Sequence, residues 1–109
     1  MKEIKAYIKP HKLSAVTLAL HTVEGLTGMS VVDARGFGRS IGKNVRHGVV
    51  DDLVDYIPHS KIEIICRDEL VDEVVSKIEK AAHTGLRGDG RIFVINVETS
   101  VRIETGERK

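Results

Sequence analysis

Between an apolar helical stripe and a β-prone run, the chain places three glycines within six residues, in Thr84-Gly85-Leu86-Arg87-Gly88-Asp89-Gly90-Arg91-Ile92-Phe93. Residues without Cβ reach backbone shapes that others avoid, so such a run can turn sharply and aim several N–H groups at one point. The two arginines add fixed, forked positive charge beside it. That combination suits an anion, a phosphate chain above all. The same residues also suit a helix C-cap followed by a tight Gly-Asp-Gly turn into a strand. Both readings stand on the residues alone.

The pattern on either side of this stretch sets the fold. Ile4, Ala6 and Ile8 alternate with Glu3, Lys5, Tyr7 and Lys9, which predicts a half-buried strand that Pro10 ends. Leu13, Val16 and Leu20, with Ala15 and Ala19 beside them, predict a helix over 11–23, and Gly25 and Gly28 punctuate its exit. Residues 29–34 read as a second strand. Residues 40–56 show no clean period, which marks a long functional or mobile excursion. Ile62, Ile64 and Cys66 give a third strand over 61–67. Asp68 then reads as the N-cap of a helix whose stripe is Leu70, Val71, Val74, Val75 and Ile78. A fourth strand spans 91–97, a short fifth spans 101–104, and 105–109 forms a polar tail. The order β-α-β-(long loop)-β-α-β predicts an α+β, ferredoxin-like sandwich in one domain, 1–109. Apolar strand residues that face away from the helices, Val32, Ile65, Ile95 and Val97 among them, predict self-association through the open sheet face.

Composition bounds the function classes. Of 109 residues, 30% are charged and the formal net charge is +1, which argues against a nucleic-acid or acidic-lipid partner. The single cysteine, Cys66, allows no internal disulfide and reads as a buried apolar residue of a cytoplasmic protein. The charged start Met1-Lys2-Glu3-Ile4-Lys5 is no signal core, and no apolar run approaches a membrane span.

Four motifs together resemble the P-II signal-transduction proteins: Gly36-Phe37-Gly38-Arg39, Lys61-Ile62-Glu63-Ile64, the glycine stretch from Thr84 to Phe93, and Val101-Arg102-Ile103 followed by Thr105-Gly106-Glu107. The resemblance covers essentially the whole chain in register. It implies a homotrimer of ferredoxin-like subunits with a T-loop at about 38–57, a B-loop at about 83–91 and a C-loop at about 101–109. It implies no permanently bound cofactor and no catalysis, but a cleft between subunits that takes ATP or ADP, with AMP also open. Typical members bind 2-oxoglutarate at the T-loop root when Mg-ATP is present, and the T-loop then engages or releases a target transporter or regulatory enzyme. Carried over by position, Gly88, Asp89, Gly90 and Arg91 wrap the phosphates, Arg91 standing where the family usually has lysine. Gly36, Phe37, Gly38 and Arg39 close over the nucleotide, and Thr84 opens the B-loop. Glu63, Ile65, Gly28, Met29 and Ser30 form the adenosine side, and Arg102 reaches across to the phosphates.

Several positions depart from the family pattern. Ser40 stands where glutamine helps hold Mg²⁺ and 2-oxoglutarate, which leaves the Mg²⁺ requirement open. His59 replaces the lysine that pairs with 2-oxoglutarate, and is only partly charged near neutrality. Glu104 replaces the second C-loop arginine, exchanging a charge-assisted bond of roughly 1.5–3 kcal/mol for repulsion. That lowers ATP affinity by about one to two decades or favours ADP or AMP. Asp52 aligns with the tyrosine that is uridylylated in many members, and Tyr56 matches a different aromatic position, so no uridylylation is expected.

The pattern is thus that of a divergent branch, some of whose members are linked to heavy-metal efflux. A metal-responsive trimer is accordingly the alternative, drawing on His47, His59, Asp51, Asp52 and Asp55, although their spacing matches no zinc motif. A nucleotide hydrolase lacks a placed general base, and an RNA-binding sheet lacks aromatics beyond Tyr7 and Phe93.

Overall fold

The computed structural model describes residues 1–36 and 57–108. Within them lie strand β1 (Lys2–Ile8), helix α1 (Leu13–Leu20), strands β2 (Ser30–Gly36) and β3 (Ile57–Cys66), helix α2 (Val71–Ala82) and strand β4 (Gly90–Asn96). Short 3-10 turns, Pro10–Lys12 and Asp68–Leu70, lead into the two helices. The four strands form one antiparallel sheet in the order β2-β3-β1-β4. This is the ferredoxin-like α+β arrangement that the sequence predicts.

Alternation in β1 and β3 turns one face of the sheet toward the helices. Ile4, Ala6, Ile8, Ile62 and Ile64 are each at most 2% exposed there, and Cys66 is buried beside them. Burial also pushes the Cys66 thiol pKa up, which suits a packing role. Two helices cover this face. α1 contributes Val16 and Leu20; α2 contributes Val74, Ile78 and Ala82. Leu13, Leu70, Val71 and Val75 pack around this core. Between the helices, Lys77 Nζ donates to Thr22 Oγ1 and pairs with Glu73 of its own helix at 3.4 Å.

Among the described residues, no helix covers the opposite face. By register, Val32, Ile65, Phe93 and Ile95 stand on it, 42–46% exposed. Tyr7 and Phe93 meet edge to face there, with centroids 6.4 Å apart. Val97 follows β4 and donates its N–H to the Met1 carbonyl at 3.2 Å.

β2 and β4 shift by one or two residues from the sequence reading, and four larger differences have physical causes. α1 stops at Leu20 rather than continuing to Val23, because the chain tightens into i→i+3 bonds, Thr22 N–H to Ala19 O and Val23 N–H to Leu20 O, before Gly25 turns at φ +89°. β3 begins at Ile57, four residues early, since Pro58 and His59 pair with Arg35 and Ala34 without an alternating apolar signature. Asp68 does not cap α2. Its carboxylate accepts from the Met1 ammonium at 2.7 Å, a charged donor that outcompetes a backbone N–H and holds the Asp68 pKa below its usual value. The expected strand at 101–104 is also absent. Only Val101 and Arg108 form a bridge, and Gly106, at φ +75°, turns the chain so that Gly106 N–H meets Arg102 O and Arg102 N–H meets Glu107 O.

The burial pattern separates two aliphatic positions on the helices. Ile78→Ala is expected to lower unfolding free energy by about 2–5 kcal/mol through lost contacts and a residual cavity. Leu18→Ala, on the outer side of α1 and 70% exposed, is expected to change it by less than about 0.5 kcal/mol. Urea denaturation checks both; equal effects would contradict this assignment of the core.

Candidate functional site

The glycine loop leaves α2 and returns as β4, and one carboxylate organises it. Asp89 Oδ2 accepts the backbone N–H of Thr84 at 2.9 Å and of Gly85 at 3.0 Å. Asp89 Oδ1 accepts the Thr84 hydroxyl and lies 3.2 Å from Lys9 Nζ. Lys9 Nζ also donates to Thr84 Oγ1 at 3.1 Å, and Leu86 N–H donates to the same oxygen at 3.0 Å. His83 Nδ1 stands 3.6 Å from Asp89 Oδ2 at the exposed edge. This concentration of donors, led by the Thr84 hydroxyl, holds the Asp89 carboxyl far below the usual carboxylate range.

Sequence reasoning singled out both Thr84 and Asp89, but missed that Asp89 faces into its own loop. It missed Lys9 altogether. The available signal was positional: Lys9 is the last residue before Pro10, and an antiparallel partner strand places the start of β4 beside the end of β1. Ile8 pairs with Gly90 in that register. A Cβ at Gly90 would lie 1.7 Å from the Tyr7 carbonyl oxygen, and Gly90 has φ +107°. Glycine is therefore required there by close approach as well as by backbone angle.

The remaining candidates fall into three places. Gly36 pairs with Ile57 at the same end of the sheet as the Ile8–Gly90 and Ile8–Ser60 pairs, so the root of the β2–β3 connection and the glycine loop occupy one end. Gly88 and exposed Arg91 belong to that end too. Ser30 lies directly opposite Glu63 in the β2–β3 register, and Ile65 follows two residues on, so these three share the open face. Gly28 and Met29 immediately precede them. Neither Gly28 nor Gly36 has any atom within 4 Å of a built Cβ, so nothing in the described chain crowds these two positions. Arg102 sits apart in the C-terminal turn, its Nε 3.8 Å from Glu107 Oε1, with Glu104 exposed in the same turn. Phe37, Gly38, Arg39 and Ser40 lie outside the described residues, as do His47, Asp51, Asp52 and Asp55 of the metal reading and Tyr56. His59 Nδ1 lies 3.3 Å from Ile57 O.

The sheet thus offers a loop with converging donors at one end and a half-polar, half-apolar strip on its open face. The family model of nitrogen regulatory protein P-II matches residues 1–107. Nitrogen regulatory protein P-II of Azospirillum brasilense is 48% identical over 108 residues, covering 99% of this chain and 96% of that protein. The Rhodospirillum rubrum protein of the same name is 46% identical with the same coverage. That of Haemophilus influenzae is 44% identical over 107 residues, covering 98% and 95%. This chain belongs to the P-II nitrogen regulatory family of signal-transduction proteins. No helix among the described residues is long and apolar enough to cross a membrane.

Two outcomes follow from the loop geometry. Gly90→Ala is expected to destabilise the protein by at least about 2 kcal/mol in urea denaturation, because the new methyl group meets rigid backbone and the φ is unfavourable. The Asp89 pKa is depressed in the folded state, so its stabilisation is complete above the unfolded carboxylate value and lost as pH falls below it. The side-chain carboxyl carbon signal of Asp89 is therefore expected to hold position from pH 7 down to about pH 4 and to shift only below it. A titration midpoint near neutrality would contradict the assignment.

Proposed function

We propose that this protein is an adenine-nucleotide-responsive regulator that works as a homotrimer and controls a partner protein through the segment between β2 and β3. The observation that carries the reading is the placement of the glycine loop and Gly36 at one end of the sheet, in a chain of this family. Open space beside Gly28 among the described residues supports the same reading, since it leaves room for a ligand or a second copy. The exposed Val32, Ile65, Phe93 and Ile95 favour burial of the open face between protomers.

In this reading Gly88, Gly90 and Arg91 meet the phosphates, with Arg102 contributed from a neighbouring copy. Thr84 and Asp89 hold the loop's shape. Gly28, Met29, Ser30, Glu63 and Ile65 serve the adenosine side. Gly36, Phe37, Gly38 and Arg39 link the nucleotide to the T-loop, where the partner is read. Regulation needs a nucleotide that favours one loop arrangement over another, because equal affinity for both shifts nothing. His59 and Ser40, in place of lysine and glutamine, make the response to 2-oxoglutarate weak or absent.

Calorimetric titration tests this, with the assembly's mass taken by light scattering. ATP, ADP and AMP are each titrated with and without Mg²⁺ and 2-oxoglutarate. The expected result is binding of at least one nucleotide to a trimer, with 2-oxoglutarate changing its Kd by less than about threefold. Absence of heat with all three nucleotides would refute nucleotide sensing, and tightening by 2-oxoglutarate of about tenfold or more would refute the lost second response.

A further inference from the structure

We propose that the glycine loop contains an oxyanion seat filled from within. Asp89 is a positioning residue that occupies the seat, and Lys9 is the counter-charge that keeps it there.

The seat consists of two backbone N–H groups, from Thr84 and Gly85, the Thr84 hydroxyl, and the Lys9 ammonium. All four converge on the two oxygens of one carboxylate. This is the donor set that a bound phosphate or carboxylate would otherwise require. With Asp89 in place, a second anion meets a formal negative charge instead of free donors. A phosphate group is therefore left to the part of the loop that Asp89 does not tie, Gly88 and Arg91 included.

The filling has a physical advantage. A loop whose donors already point inward loses little conformational entropy on binding, because its backbone is fixed beforehand. Lys9 matters because the seat is only partly sealed: the Lys9 and Asp89 side chains are 20% and 26% exposed. Lys9 also follows β1 directly, so it ties the loop to the sheet rather than to the loop's own residues. The part of the proposal that concerns phosphate rests on the nucleotide reading; the seat itself does not.

Emptying the seat tests it. Asp89→Ala removes the internal carboxylate and leaves its donors for an external one, and formate is the probe. Amide hydrogen exchange at Thr84 and Gly85 is followed by NMR in the full chain without nucleotide, with Ile4 and Ile64 as reporters of the intact core. In Asp89→Ala, exchange at Thr84 and Gly85 is expected to speed up by about tenfold or more while Ile4 and Ile64 stay protected. Excess sodium formate is expected to restore slow exchange, and sodium chloride at equal ionic strength is not. Lys9→Met is expected to speed exchange at the same two amides. Combined with Asp89→Ala, it is expected to abolish rescue by formate. Should Asp89→Ala fail to fold, Asp89→Asn takes its place for the exchange comparison, with Lys9→Met as the second variant.

Unchanged exchange at Thr84 and Gly85, or a loss that formate does not repair, overturns the seat. Calorimetry on the same proteins reads the phosphate part. Weaker ATP binding in Asp89→Ala, by about tenfold, agrees with a positioning role, whereas unchanged or tighter binding overturns that role and leaves the seat to the exchange comparison. Failure of the wild-type protein to bind ATP refutes the nucleotide reading, while the exchange comparison still decides the seat.

Discussion

β1 is hydrogen-bonded along both edges, to β3 and to β4, and its three helix-side residues are almost fully withdrawn from water. Every other element takes its position from that strand. Ile4 and Ala6 stand opposite Ile64 and Ile62, forming the floor on which Val16, Leu20, Val74 and Ile78 pack. The order β2-β3-β1-β4 brings the end of β1 beside the starts of β3 and β4. The glycine loop and the root of the β2–β3 connection meet at one end for this reason, although some fifty residues separate Gly36 from Gly85 in the sequence.

Much of this was legible from periodicity. A period of two marked β1 and the inner part of β3, and the stripe from Leu70 to Ile78 marked α2, because in both cases one face is buried and the other wet. Legibility failed where burial is not periodic. Ile57 and Pro58 are exposed although they lie in a strand, so hydrogen bonding alone defines that part of β3. It failed again at Asp68, where the preferred partner is the chain's own N-terminus, 67 residues away. Local rules for helix caps do not contain such a competitor.

The candidate site was legible in its residue types and partly illegible in their directions. Gly88, Gly90 and Arg91 were marked by composition, and Ser30, Glu63 and Ile65 by resemblance; the register then put the latter three on one face. Asp89 turns inward to Thr84 and Gly85, five and four residues back, and to Lys9, which no motif includes. An aspartate between two glycines reads as turn chemistry, and here a cation brought from another strand joins the local donors that hold it.

The position of Lys9, one residue beyond the end of β1, gives the loop a dependence on strand alignment. A slip of β1 by a single residue against β4 would move Lys9 by roughly 3.3 Å and send its side chain to the other face of the sheet. The same slip would expose Ile4, Ala6 and Ile8. Misaligned and correctly aligned chains would thus differ in the loop as well as in the core. A chain that folds out of register forfeits the ion pair between Lys9 and Asp89 along with its buried face.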